Sequence, residues 1–140
     1  MNKDNRFRRV RIGEEDKEIY DYLRAVEPFA KLSSAELFAL ALIFGKKEGK
    51  RTPLDGKKVD IIVPSNIEEP IHSVMKAISF EETGDLEVLD NKDEYFTICE
   101  EYAKTGFSLL DAAFLENPDS FLENLELEAL EYIKIIEKSL

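Results

Sequence analysis

Four adjacent glutamate pairs carry the residue types whose spacing could do chemistry here: Glu14–Glu15, Glu68–Glu69, Glu81–Glu82 and Glu100–Glu101. Two neighbouring carboxylates serve as general acid and base when their surroundings drive their pKa values apart. With 30 acids in 140 residues, such pairs arise from composition, and each reads first as a solvated helix face. Glu100–Glu101 is the pair of most interest, because Tyr102 and a corner at Gly106 follow it. The other reactive types are scarce. One histidine, His72, and one cysteine, Cys99, cannot build a zinc site of the usual Cys/His kind. Cys99 shares an i, i+3, i+4, i+7 stripe with Tyr95, Ile98 and Tyr102, the position of a small core residue and not of a nucleophile. His72 falls off the apolar stripe of its helix and reads as a surface residue. No nucleophile–base pairing or metal-ligand spacing appears, so the expectation is no catalytic residue, no metal and no cofactor.

Positive charge is the other resource. Arg6, Arg8, Arg9 and Arg11 form the densest basic cluster, and Lys46, Lys47, Lys50, Arg51, Lys57 and Lys58 follow in one loop. Gly45-Lys-Lys-Glu-Gly-Lys-Arg-Thr52 invites comparison with a phosphate-binding loop. It fails that comparison because three residues, not four, separate its glycines and because it follows a helix instead of a strand. Contact with DNA phosphate or an acidic partner remains one reading of both runs; a charged edge strand and a solvated connection is the other.

The elements that must position these groups are mostly helical. Ser33 and Glu36 have capping-box spacing, and Leu37–Phe44 carries no polar side chain, which predicts a helix over 33–45 buried on all sides. Gly45 is expected to cap it in the left-handed conformation. Ile19, Tyr22, Leu23 and Val26 give an earlier helix one buried stripe, as do Ile71, Val74, Met75 and Ile78 in a later one. Asn91 and Glu94 open a helix that Gly106 is expected to end, with a short helix over 107–115 after it. From about Asp119 a last helix repeats Leu122, Leu125, Ala129, Tyr132 and Ile136, a stripe that closes the core or forms a homodimer seam. Residues 8–12 alternate in the manner of a strand, and 59–63 is β-branched, so the two could pair as a ribbon. The reading is a mainly α, compact, single-domain bundle (1–140) of about six helices around the buried 33–45 helix.

Net charge is −11, but residues 1–58 carry 14 Lys/Arg against 10 Asp/Glu while residues 59–140 carry 5 against 20. That split bears on partners and not on fold. A lone cysteine agrees with a reducing compartment, and no run resembles a signal peptide or a membrane span, so the expected location is cytoplasmic, with no membrane partner.

Two segments together carry a resemblance. Pro28-Phe29, the apolar helix and Gly45-Lys-Lys-Glu-Gly-Lys-Arg-Thr-Pro-Leu54 form the first; Glu100-Glu101-Tyr102-Ala103-Lys104-Thr105-Gly106 forms the second. Their order and spacing, over roughly Arg8 to Leu110, resemble the DNA phosphorothioation-associated protein family, the fourth accessory protein of Dnd gene clusters. Thr105 departs from the family pattern, which has a glycine there. The resemblance implies an accessory role in a DNA-modification or restriction system, with other proteins of that system as partners. It carries no established functional residue to this chain. The leading expectation is a non-catalytic interaction protein that uses the basic residues. The alternatives are a purely protein-binding, dimeric subunit with no nucleic-acid contact and an acidic DNA mimic.

Overall fold

The computed structural model describes residues 8–116, 130–131 and 133–139. The fold is mainly α and compact, with a small two-stranded sheet. Its elements are β1 (Val10–Gly13), α1 (Lys17–Ala25), α2 (Ser34–Glu48), β2 (Lys58–Ile62), α3 (Glu69–Thr83) and α4 (Lys92–Glu116). Residues 133–139 are helical and make up α5. Helical turns of the 3-10 type at Glu14–Asp16, Phe29–Lys31, Pro64–Asn66 and Leu86–Asp90 join these elements. The ribbon forms as expected: β1 and β2 pair antiparallel, Val10 opposite Ile62 and Gly13 opposite Lys58, with an irregularity between Val10 and Arg11.

Helix α2 is the buried hub that its sequence predicts. Ser33 Oγ accepts from the Glu36 amide and Glu36 answers on the Ser33 amide, a complete capping box. Leu37, Phe38, Ala41, Leu42 and Ile43 are all buried, while Leu40 and Phe44 pack partly buried against the core.

Both expected glycine caps are corrected. α2 runs on past Gly45 to Glu48, and its left-handed cap is Gly49 at φ 79°. Gly106 lies in the middle of α4, which is one continuous helix and not two. The reason is a close crossing of α2 over α4. A Cβ built on Gly45 would lie 1.7 Å from the Tyr102 carbonyl oxygen, and one built on Gly106 would lie 1.7 Å from that of Ala41. Each glycine therefore lets one backbone rest on the other, in contacts of the C–H···O kind.

The inward stripe of α1 also differs by one position. Tyr20, not Tyr22, is buried with Leu23, and Tyr22 is exposed. Tyr20 sets its ring edge-on to Phe107 and donates to Ser34 Oγ at 2.8 Å, so the phenol has a partner at each end. His72 is half-buried instead of on the surface, its ring stacked on Phe96 with centroids 6.4 Å apart. Among the proposed seam residues, Leu122, Leu125, Ala129 and Tyr132 lie outside the described residues. Ile136 packs against the core and, with Ile133, flanks an apolar groove of about 400 Å³ along α2 and α3.

Candidate functional site

The three charged residues of the second motif segment, Glu100, Glu101 and Lys104, tie separate parts of the fold to one stretch of α4. Glu100 is buried, and Arg8 reaches it with two hydrogen bonds at 2.7 and 3.1 Å. The Arg11 amide donates to the same carboxylate at 2.7 Å, and the Arg11 guanidinium stands 3.7 Å away. Arg8 also pairs with Asp93 at 2.7 Å and lies over the Phe96 ring. Burial works against the Arg8 charge, but Glu100 and Asp93 more than offset it, and its pKa lies above the ordinary value. Burial also pushes the Glu100 carboxyl up, against the pull of Arg8 and Arg11. The pair thus serves as a geometric tie whose desolvation cost outweighs part of its attraction.

Glu101, one residue and about 100° further round the helix, faces a different segment. Arg51 binds it at 2.8 Å and Glu82 of α3 at 2.9 Å. Tyr102 donates to Glu82 as well, and that hydrogen bond leads the lowering of the Glu82 pKa. Lys104 then holds Glu15 at 2.8 Å and the buried Asp16 at 2.7 Å. One and a half turns of α4 therefore secure the ribbon, the 50–57 segment, α3 and the turn before α1. As arranged here, Glu100 and Glu101 are each held by arginines, Glu100 by Arg8 and Glu101 by Arg51.

The 50–57 segment crosses α4 as a strap. At one end the Thr52 amide donates to the Glu101 carbonyl at 3.1 Å, and the Thr52 hydroxyl lies 2.7 Å from that of Thr105. Leu54 is buried beneath it. At the other end the Lys57 carbonyl accepts from Glu14, and β2 begins. Thr105 thus uses its hydroxyl to seat the strap.

The structure divides the ten proposed basic contacts. Arg6 lies outside the described residues. Arg8 and Arg51 are tied into α4, Arg11 leans on Glu100, and Lys46 pairs with Glu81 at 2.6 Å while lying over Tyr102. Arg9, Lys47, Lys50, Lys57 and Lys58 are exposed. Arg9 has only Asp60 at 4.0 Å as an ion-pair partner, and Lys50, Lys57 and Lys58 have none among the described residues. The tying role of Glu100, Glu101 and Lys104 was missed in the sequence. The visible signal was three charges within five residues on a helix otherwise rich in buried positions.

Cys99 sits wholly buried against Ser79, and burial pushes its thiol up to about 12. Among the described residues no group of three or more His, Cys, Asp or Glu could hold a metal ion, and no helix is long and apolar enough to cross a membrane.

Fold and site together define a class: a compact, mainly α protein whose charged motif fastens a basic strap and ribbon across a buried helix pair. The chain belongs to the family described as DNA sulphur modification system-associated protein 4, whose model matches residues 9–134. Membership bears out the resemblance carried by the two segments and extends it into the last helix. No curated protein and no solved structure matches the chain.

Proposed function

We propose that this chain is a non-catalytic accessory protein of a DNA sulphur-modification system, engaging DNA or an acidic partner through its outward cations. The observation that carries the reading is the division of the basic residues. Arg8 and Arg51 are consumed internally by α4 carboxylates, while Arg9, Lys50, Lys57 and Lys58 are exposed on the strap and ribbon. In a chain of net charge −11, a local basic surface of this kind is a contact for polyanions and not a general property of the molecule. Occupation of Glu100 and Glu101 by arginines supports the non-catalytic part.

The test is a low-salt gel shift with duplex DNA, together with co-purification of the other proteins of the system. Wild type is compared with Lys50→Glu/Lys58→Glu. Arg51 is unsuited to this purpose, since its replacement would also free the strap from Glu82 and Glu101. Loss of binding in the double variant with its helical circular dichroism unchanged supports the reading. A wild-type protein that binds neither duplex nor any partner, or a double variant that binds as wild type does, rejects it.

A further inference from the structure

We infer that the strap and the ribbon edge form a contact for the phosphodiester backbone of duplex nucleic acid, recognised by charge spacing and not by base sequence. The inference rests on the basic-surface reading above and narrows it to one class of partner.

Spacing is the first argument. Lys58 stands opposite Gly13 in the ribbon, whereas Arg9 precedes Val10. Four residues of strand separate them, about 13 Å at about 3.3 Å per residue. Lys50 and Lys57 lie at the two ends of the strap that crosses α4. The four attachment points are thus spread over the ribbon edge and both ends of the strap, which suits a succession of phosphates better than a single one. Duplex DNA offers a charge about every 3.4 Å on each strand, and a length of about 13 Å covers roughly four steps.

The lack of an apolar anchor is the second. Protein partners draw most of their binding energy from a few buried aromatic or aliphatic side chains. The exposed large hydrophobics among the described residues are Tyr22, Leu86, Leu115, Leu130 and Ile135, none of them on the strap or the ribbon. Beside the lysines of the strap stand Pro53, Asp55 and Gly56, all exposed. Charge without an anchor fits a backbone better than an acidic peptide.

Preorganisation is the third. Arg51 on Glu101, the Thr52 amide on the Glu101 carbonyl and buried Leu54 fix the strap before any ligand arrives. Lys50 and Lys57 therefore lose less freedom on binding than lysines on a loose loop. Four exposed acids oppose the surface: Asp55 on the strap, Asp60 beside Arg9, Glu14 next to Lys57 and Glu48 two residues before Lys50.

The experiment titrates the full chain, by fluorescence anisotropy over a salt series, against two labelled 24-base-pair duplexes of unrelated sequence. Poly-L-glutamate serves as the competing acidic polypeptide. The expected slope of log K against log salt is about −3.6 for four contacts, and Arg9→Gln, Lys50→Gln, Lys57→Gln and Lys58→Gln each reduce it by about 0.9. Both duplexes bind within about twofold of each other, and Asp55→Asn tightens binding by up to about fivefold. Duplexes that differ more than tenfold, or a slope unmoved by the four replacements, overturn the inference. Binding of poly-L-glutamate without the duplex also overturns it, while leaving the basic-surface reading standing. Binding of neither overturns it as well, and the co-purification experiment then decides the basic-surface reading.

Discussion

Gly45→Ala separates two accounts of this chain that predict opposite signs. If Gly45 were a solvated helix residue, alanine would stabilise α2 by about 1 kcal/mol through its better helix propensity. In the structure the new methyl would meet the Tyr102 carbonyl at 1.7 Å, and Cβ atoms essentially never approach heavy atoms closer than 3.0 Å. The obstacle is backbone in the middle of α4, so no rotamer relieves it. The helices must move apart by at least about 1.3 Å, the difference between those distances. A radial gap of 0.5–1 Å already forfeits a quarter to a half of each dispersion contact, and the opened seam is lined by Phe38, Leu42, Ala103 and Phe107, all buried. Overpacking typically costs about 1–3 kcal/mol, and an immovable backbone obstacle places this case at or above the upper end. The expected net loss is about 3 kcal/mol, read as a lower urea midpoint by far-UV circular dichroism with the slope unchanged. Gly106→Ala should behave alike, since its methyl meets the Ala41 carbonyl at the same 1.7 Å. The double variant should lose less than the sum, because the first separation makes room for the second. Gly49→Ala is the control: its φ of 79° strains alanine, but nothing lies within 4 Å, so the cost is about 1 kcal/mol. A Gly45→Ala protein as stable as wild type would refute the crossing.

Two further outcomes follow from the burial of single groups. Burial raises the folded-state pKa of Glu100 above 4.5, so the folded protein holds its proton more tightly than the unfolded chain does. On this group's account stability falls as pH rises through the interval between 4.5 and the raised value, and it grows on acidification through the same interval. Urea midpoints of wild type minus those of Glu100→Gln should therefore increase as pH drops towards 4.5; a flat or falling difference would show that Arg8 and Arg11 outweigh burial. Cys99, buried with its thiol raised to about 12, should resist a thiol-disulfide reagent at pH 8 in the folded protein and react at once in urea. Rapid native labelling would contradict the packing at that position.

Periodicity disclosed the core because burial repeats with the helix: Ile98, Cys99, Tyr102, Met75 and Ile78 all lie where spacing puts them. The ribbon was legible for the same reason, two short alternating or β-branched runs with a helix pair to rest on. Gly45 and Gly106 were misread because a glycine near the end of an apolar run has two uses. One is a local positive φ; the other is room for a second backbone, and only the second depends on a residue far along the chain, Tyr102 for Gly45 at 57 positions and Ala41 for Gly106 at 65. Tyr22 stands three residues after Ile19 and Tyr20 three before Leu23, so each makes a helical step with a stripe residue, and Phe107 and Ser34 decide for Tyr20. The basic runs were legible as charge but not as surface. Whether an arginine is a contact or a fastening depends on which carboxylate the fold brings to it, and Glu100 lies 92 residues from Arg8.

That last separation also explains why the two motif segments go together. The first contributes a glycine in α2, a basic strap and Thr52; the second contributes the carbonyl of Tyr102, a glycine in α4, the Glu101 carboxylate and Thr105. Each half supplies what the other lacks: room against backbone, cation against anion, and amide against carbonyl. The joint places the strap over α4, and every outward lysine of that strap takes its position from it. A glycine or a glutamate in these segments therefore acts on the binding surface without touching a ligand. Replacement of Glu101 should weaken polyanion binding by loosening the lysines, even though it removes a negative charge, which electrostatics alone would predict to strengthen it.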